Sequence, residues 1–109
     1  MNNRSPVMLL RARPKSDAAS RFAKWFRAVH LADVGRIPGV SAVQGGHTPG
    51  GTWFGFYTFE DSEQMQAALQ SAEAAYARGT WEQWAPHLEE LSIEVLAPVG
   101  PLPIFNSRN

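Results

Sequence analysis

At 109 residues the chain has room for one domain around one hydrophobic core, and its 44% hydrophobic content is ordinary for a globular protein. It has no cysteine, which excludes a disulfide scaffold, a thiolate zinc site and a cysteine nucleophile together and fits a reducing compartment. Net charge is zero but segregated: residues 1–36 carry eight Lys/Arg against Asp17 and Asp33, and residues 37–109 carry Arg78 and Arg108 against eight acids. A basic first half would suit a nucleic-acid surface. No recognition motif accompanies it, so the two halves are expected to pack together and neutralise each other, with no nucleic-acid partner. The opening Met-Asn-Asn-Arg-Ser-Pro lacks the apolar run of a signal peptide. No later stretch approaches the roughly 20 apolar residues of a membrane span, so a cytoplasmic protein with no membrane partner is expected.

Val7 to Arg13 reads as a first strand closed by Pro14, which cannot donate to a ladder. Ser16 is a good N-cap for a helix over about 17–34, whose Ala19, Phe22, Phe26 and Val29 recur at helical spacing, with Trp25 and His30 on the flanks. Gly35 and Pro38 end it. Val40 to about His47 is a second strand, the glycine-rich segment to Thr52 a turn, and the aromatic run Trp53 to Phe59 a third strand. Asp61 with Gln64 matches a capping box for a second helix with Met65, Ala68, Leu69, Ala72 and Tyr76 on its buried face and Gly79 at its end. Thr80 to Gln83 resembles another capping box, opening a short helix with Trp81 and Trp84. Leu91 to Ala97 is the last strand, and a Pro-rich tail follows over 98–109. The order β-α-β-β-α-β is the split-βαβ pattern. Right-handed crossovers make it a ferredoxin-like α+β fold: a four-stranded antiparallel sheet with the helices on one face, in a single domain over 1–109 with its core at about 7–98. The last strand should lie beside the first, with Glu94 facing Arg11 or Arg13.

A sheet covered on one face should alternate apolar and polar. Here Trp53, Tyr57 and Phe59 point one way and Phe54 and Phe56 the other, while Val7 and Leu9 oppose Met8 and Leu10. Two apolar faces and helices for only one predict a homodimer built on the uncovered face. A tail folded back over the sheet is the alternative cover.

The segment from Phe22 to Val40, with the aromatic pair Trp25-Phe26, the step His30-Leu31 and the turn Ile37-Pro38-Gly39, resembles the first-helix motif of dimeric α+β barrel proteins, the EthD-like and related branches in particular. The strand Trp53–Phe59 and the Trp81/Trp84 segment are also similar to that family. The resemblance spans about residues 7–98. It implies two sheets packed face to face as a barrel and a pocket between each sheet and its helices. Relatives include small monooxygenases, polyketide cyclases and lactone isomerases. The sequence departs from the commoner His-x-Pro form in having Leu31-Ala32 after His30.

His30 is the best candidate for chemistry. Asp33, three residues on, could fix its tautomer, leaving the other nitrogen as general acid or base near neutral pH. The structural alternative is a histidine that holds the helix end. Tyr57 could donate to a substrate carbonyl or phenol, and Trp53, Trp81 and Trp84 could bind a flat ligand or simply fill the core. His30 is expected to border a cavity walled by at least one of these four aromatics. His30, His47 and His87 match no metal spacing, and the paired glycines form no phosphate fingerprint. The expected function is a small cofactor-independent enzyme with no metal, acting on a hydrophobic carbonyl or aromatic compound by isomerisation, cyclisation or oxidation, with His30 as acid/base. The alternatives are a dimeric module that binds a small apolar ligand without turnover, and a structural module with a filled core.

Overall fold

Strand β1 (Val7–Pro14) carries a two-residue alternation that decides how the chain is layered. Its Leu10, Ala12 and Pro14 are buried while Arg11 is exposed. The computed structural model describes residues 5–97; the Pro-rich tail lies outside them. After β1 come a 3₁₀ turn (Ser16–Ala18), helix α1 (Ala19–Trp25), a π-turn (Phe26–His30) and helix α2 (Leu31–Gly35). Strands β2 (Val40–His47) and β3 (Trp53–Phe59) follow, then helices α3 (Ser62–Leu69) and α4 (Ala72–Gly79). Two 3₁₀ turns (Thr80–Gln83 and Ala85–His87) lead into β4 (Leu88–Leu96). The strands form one antiparallel sheet in the order β2-β3-β1-β4. This is the ferredoxin-like arrangement.

The helical layer packs on the sheet face that presents Leu10, Ala12, Trp53, Tyr57 and Phe59. Phe22, Phe26 and Phe59 are the largest fully buried side chains, each worth about 1.5–3 kcal/mol in apolar surface removed from water. The opposite face carries Leu9, paired in register with Phe56, and Arg11, paired with Phe54. The Arg11 guanidinium lies over the Phe54 ring, 5.3 Å from its centroid.

Several local expectations change. Ser16 does not cap the first helix: Lys15 occupies the cap position with extended backbone and no side-chain bond. Val29 is not on the buried face but 40% exposed. The π-turn explains it: the Leu31 N–H bonds to the Phe26 carbonyl, five residues back, so the widened turn delays the helical phase by one residue and His30 takes the inward place. The second helix is two. Asp61 caps α3, accepting from the Gln64 N–H at 2.8 Å. Ser71 then both closes α3, donating to the Ala68 carbonyl at 2.7 Å, and caps α4, accepting from the Ala74 N–H at 3.1 Å. The restart turns Ala74 and Ala77 inward and leaves Tyr76 exposed. Thr80 is no cap either: its hydroxyl donates back to the Ala77 carbonyl at 2.7 Å. Glu94 stands opposite Leu9, not Arg11 or Arg13. The register shifts between Arg13 and Pro14, and Arg13 pairs with Glu89, Nε to Oε1 3.3 Å.

Candidate functional site

The π-turn aims His30 at the sheet, and β3 supplies its partner. His30 Nε2 and Tyr57 Oη are 2.6 Å apart, and both residues are nearly sealed from solvent, at 2% and 4% exposure. Tyr57 reaches His30 because its ring lies along the strand over Gly55. A Cβ at Gly55 would stand 2.8 Å from Tyr57 Cε1 and closer still to the hydroxyl. Gly45 is the register partner of Gly55 on β2. A Cβ there would meet Leu31 Cδ1 at 2.9 Å. The two glycines make a flat spot in the sheet on which the π-turn and the tyrosine settle.

The rest of the imidazole is enclosed by aromatic rings. Trp25 stacks on it with centroids 5.4 Å apart, and Trp81 meets it edge-on at 4.8 Å. His30 Nδ1 is buried with no hydrogen-bond partner. Burial lowers the His30 pKa from 6.5 to about 4, so the ring is neutral at physiological pH, against the expectation of titration near neutrality. Burial also pushes the Tyr57 hydroxyl well above the usual phenol range. The contact between two neutral groups permits two proton arrangements. In one, Tyr57 O–H donates to Nε2 and the ring proton sits on Nδ1. In the other, Nε2–H donates to Tyr57 Oη and the hydroxyl hydrogen is free to donate elsewhere.

An apolar cavity of about 140 Å³ adjoins the pair, walled by His30, Tyr57 and Trp81 together with aliphatic side chains such as Leu10, Val34 and Ile37. It opens between α4 and β4, where the lining residues Arg78 and Ile93 are exposed.

Of the residues singled out in the sequence, His30, Tyr57 and Trp81 therefore come together. Asp33 does not join them. Its Oδ1 accepts from Arg36 Nη1 at 2.7 Å, and the residue lines a separate surface groove with Ala72, Glu73 and Tyr76. Side chains three apart on a helix diverge by about 60°, which here sends His30 to the sheet and Asp33 to the flank. Trp53 and Trp84 are buried core residues off the cavity wall, Trp53 against Phe26 at 5.4 Å and Trp84 edge-on to Phe22 at 5.2 Å. His47 packs on Trp53 and His87 near Trp84, both apart from His30. Among the described residues no three His, Asp or Glu side chains are grouped to hold a metal ion, and no helix is long and apolar enough to cross a membrane. Sequence reasoning missed Trp25 as the stacking partner, Arg78 at the mouth, and the glycine pair. The one available signal was Gly55 itself, two residues before a tyrosine on the helix-facing side of an aromatic strand.

A split-βαβ sheet with a pocket between sheet and helices is a ferredoxin-like α+β fold. No family model matches the chain, and no curated protein matches it. Solved structures do. Rv0793 from Mycobacterium tuberculosis superposes with a TM-score of 0.70 at 18% identity, over 89% of this chain and 97% of that one. An ethyl tert-butyl ether D (EthD) family protein from Bacillus halodurans gives 0.70 at 16%, over 86% and 99%. SnoaB, a cofactor-independent oxygenase from Streptomyces nogalater, gives 0.69 at 15%, over 91% and 97%. At these identities the likeness is one of fold.

Proposed function

We propose that the protein is a small acid–base enzyme acting without a cofactor on a hydrophobic carbonyl or phenolic compound held in the cavity beside Tyr57. The observation that carries this reading is the buried, neutral Tyr57–His30 pair on the wall of an apolar cavity. The pair is a two-way proton relay. A substrate hydroxyl gives its proton to Tyr57 Oη as Tyr57 gives its own to His30 Nε2, leaving a substrate oxyanion beside an imidazolium. The reverse transfer returns the proton to the product. The oxyanion, an enolate or phenolate, is the common electron-rich species that isomerisation, cyclisation or oxidation by dioxygen would start from. Low surrounding polarity opposes charge separation, but the two charges form together and close by, so each offsets much of the other's desolvation. Asp33 has no part in this scheme. Trp81 walls the cavity, whereas Trp53 and Trp84 support it from the core.

The test is turnover of a panel of hydrophobic phenols and ketones, followed by absorbance with and without dioxygen. Tyr57→Phe and His30→Gln should each lower the rate by about 10²–10⁴-fold, the usual worth of a positioned acid–base group. An undiminished rate in His30→Gln would sink the relay. Binding of the panel with no turnover in the unsubstituted protein would select the ligand-binding reading, which the almost wholly apolar lining also suits. The proposal includes a homodimer formed through the sheet face of Leu9, Phe54 and Phe56, since no described helix covers it.

A further inference from the structure

The cavity walls are apolar or neutral except at one point. Arg78, near the C-terminal end of α4, lines the mouth and is the only charged side chain among the described residues that does so. Its Nη1 donates to the Leu69 carbonyl at 3.1 Å. That bond pins the side chain against the end of α3 and leaves most of the guanidinium's five N–H donors unused. Among the described residues the ion-paired arginines are Arg13 and Arg36, so Arg78, an exposed side chain at the mouth, carries no carboxylate there. A planar fork of this kind suits bidentate recognition of a carboxylate.

Size narrows the ligand further. An apolar cavity of roughly 150 Å³ accepts benzene, and this one measures about 140 Å³. Its enclosed part has room for about one six-membered ring. Tyr57 is buried on the cavity wall, whereas Arg78 is exposed where the cavity opens.

We propose that the cavity selects single-ring aromatic or cyclic acids: an oxygen on the ring meets Tyr57, the ring fills the apolar middle, and a carboxylate on the other side of the ring is anchored by Arg78. This rests on the reading of the cavity as a substrate pocket. The anchor discriminates between an acid and its neutral ester, and it also repels amines of the same shape.

The probes are 4-hydroxyphenylacetate and its methyl ester, titrated by calorimetry at pH 7 and low salt. The site is located by NMR shifts of the Trp81 indole N–H. The acid should bind about fivefold more tightly than the ester, the ratio expected of a partly exposed ion pair near the top of its range. Arg78→Gln should bring the ratio close to one, and Arg78→Lys should restore part of it. Arg78 is exposed, and thermal melts of both variants check that the fold survives. Equal affinity for acid and ester, or a preference that persists in Arg78→Gln, overturns the anchor while leaving the pocket reading standing. Failure of both probes to bind or to shift Trp81 overturns the pocket reading together with the anchor.

Discussion

Burial keeps His30 neutral beside Tyr57, and that has a direct consequence for stability. The histidine binds a proton with a pKa of about 4 when folded and 6.5 when unfolded. The unfolded chain therefore takes up protons first as pH falls, and the folded state loses stability from about pH 6.5 down to about 4, below which the loss is complete. The largest possible effect is about 3 kcal/mol. Urea denaturation at pH 7 and pH 4.5 should show a drop in the unsubstituted protein that is clearly smaller in His30→Gln. Equal pH slopes in the two proteins would contradict a buried neutral imidazole. At this same scale the sequence was informative about which residues matter and less so about whom they meet. Tyr57 and His30 could each be picked out as chemistry-bearing, but their contact joins residues 27 apart, and nothing local announces it. Asp33, the local partner that spacing favours, is taken by Arg36.

The elements that hold the pair are shaped by two departures from regularity, and neither has a sequence signature. Phe22 and Phe26 are correctly read as core, because Phe22 precedes the π-turn and Phe26 opens it. Within it the count falls off by one, which is why periodicity places Val29 inside and His30 at the edge. The Ser71 restart has the same effect on Tyr76: a continuous helix would bury it, while a fresh cap at Ser71 buries Ala74 and Ala77. Periodicity carries phase only as far as the next interruption. The strands fared better. The first three keep their expected starts, while β4 begins at Leu88 and not Leu91; the two-faced pattern is set by side-chain alternation, which tolerates the shift between Val40 and Ala42. The flat spot made by Gly45 and Gly55 gives a prediction at this level. Gly55→Ala should force the Tyr57 ring off His30. We expect a loss of about 1–3 kcal/mol in a thermal or urea melt, as for an overpacked core, together with loss of the proposed activity. A fully stable, active Gly55→Ala would mean that the ring can lie elsewhere without cost.

At the scale of the whole molecule, the surface that matters is the sheet face that no described helix covers. Phe56 stands in the middle of it, 38% exposed beside Leu9 and Phe54. Light scattering at micromolar concentration should give about twice the 12.0 kDa mass of one chain. Phe56→Glu should return the molecule to a folded monomer, since a carboxylate is costly to bury opposite its own symmetry mate. A dimer that survives this substitution must use another face. The two-faced alternation that suggests the dimer is visible in β1 and β3 of the bare sequence. The cavity is not, because it is a space left by elements whose phase the sequence conceals.

The aromatic surround of His30 has one more consequence. Two of the chain's four tryptophans touch that imidazole, and Trp84 lies 5.5 Å from Trp25. Indole emission is quenched by a protonated imidazole in contact with it, and it shifts in wavelength when water leaves its surroundings. The intrinsic fluorescence of the unlabelled protein is therefore an optical gauge of its own interior, reporting both the charge on His30 and the arrival of a guest against Trp81.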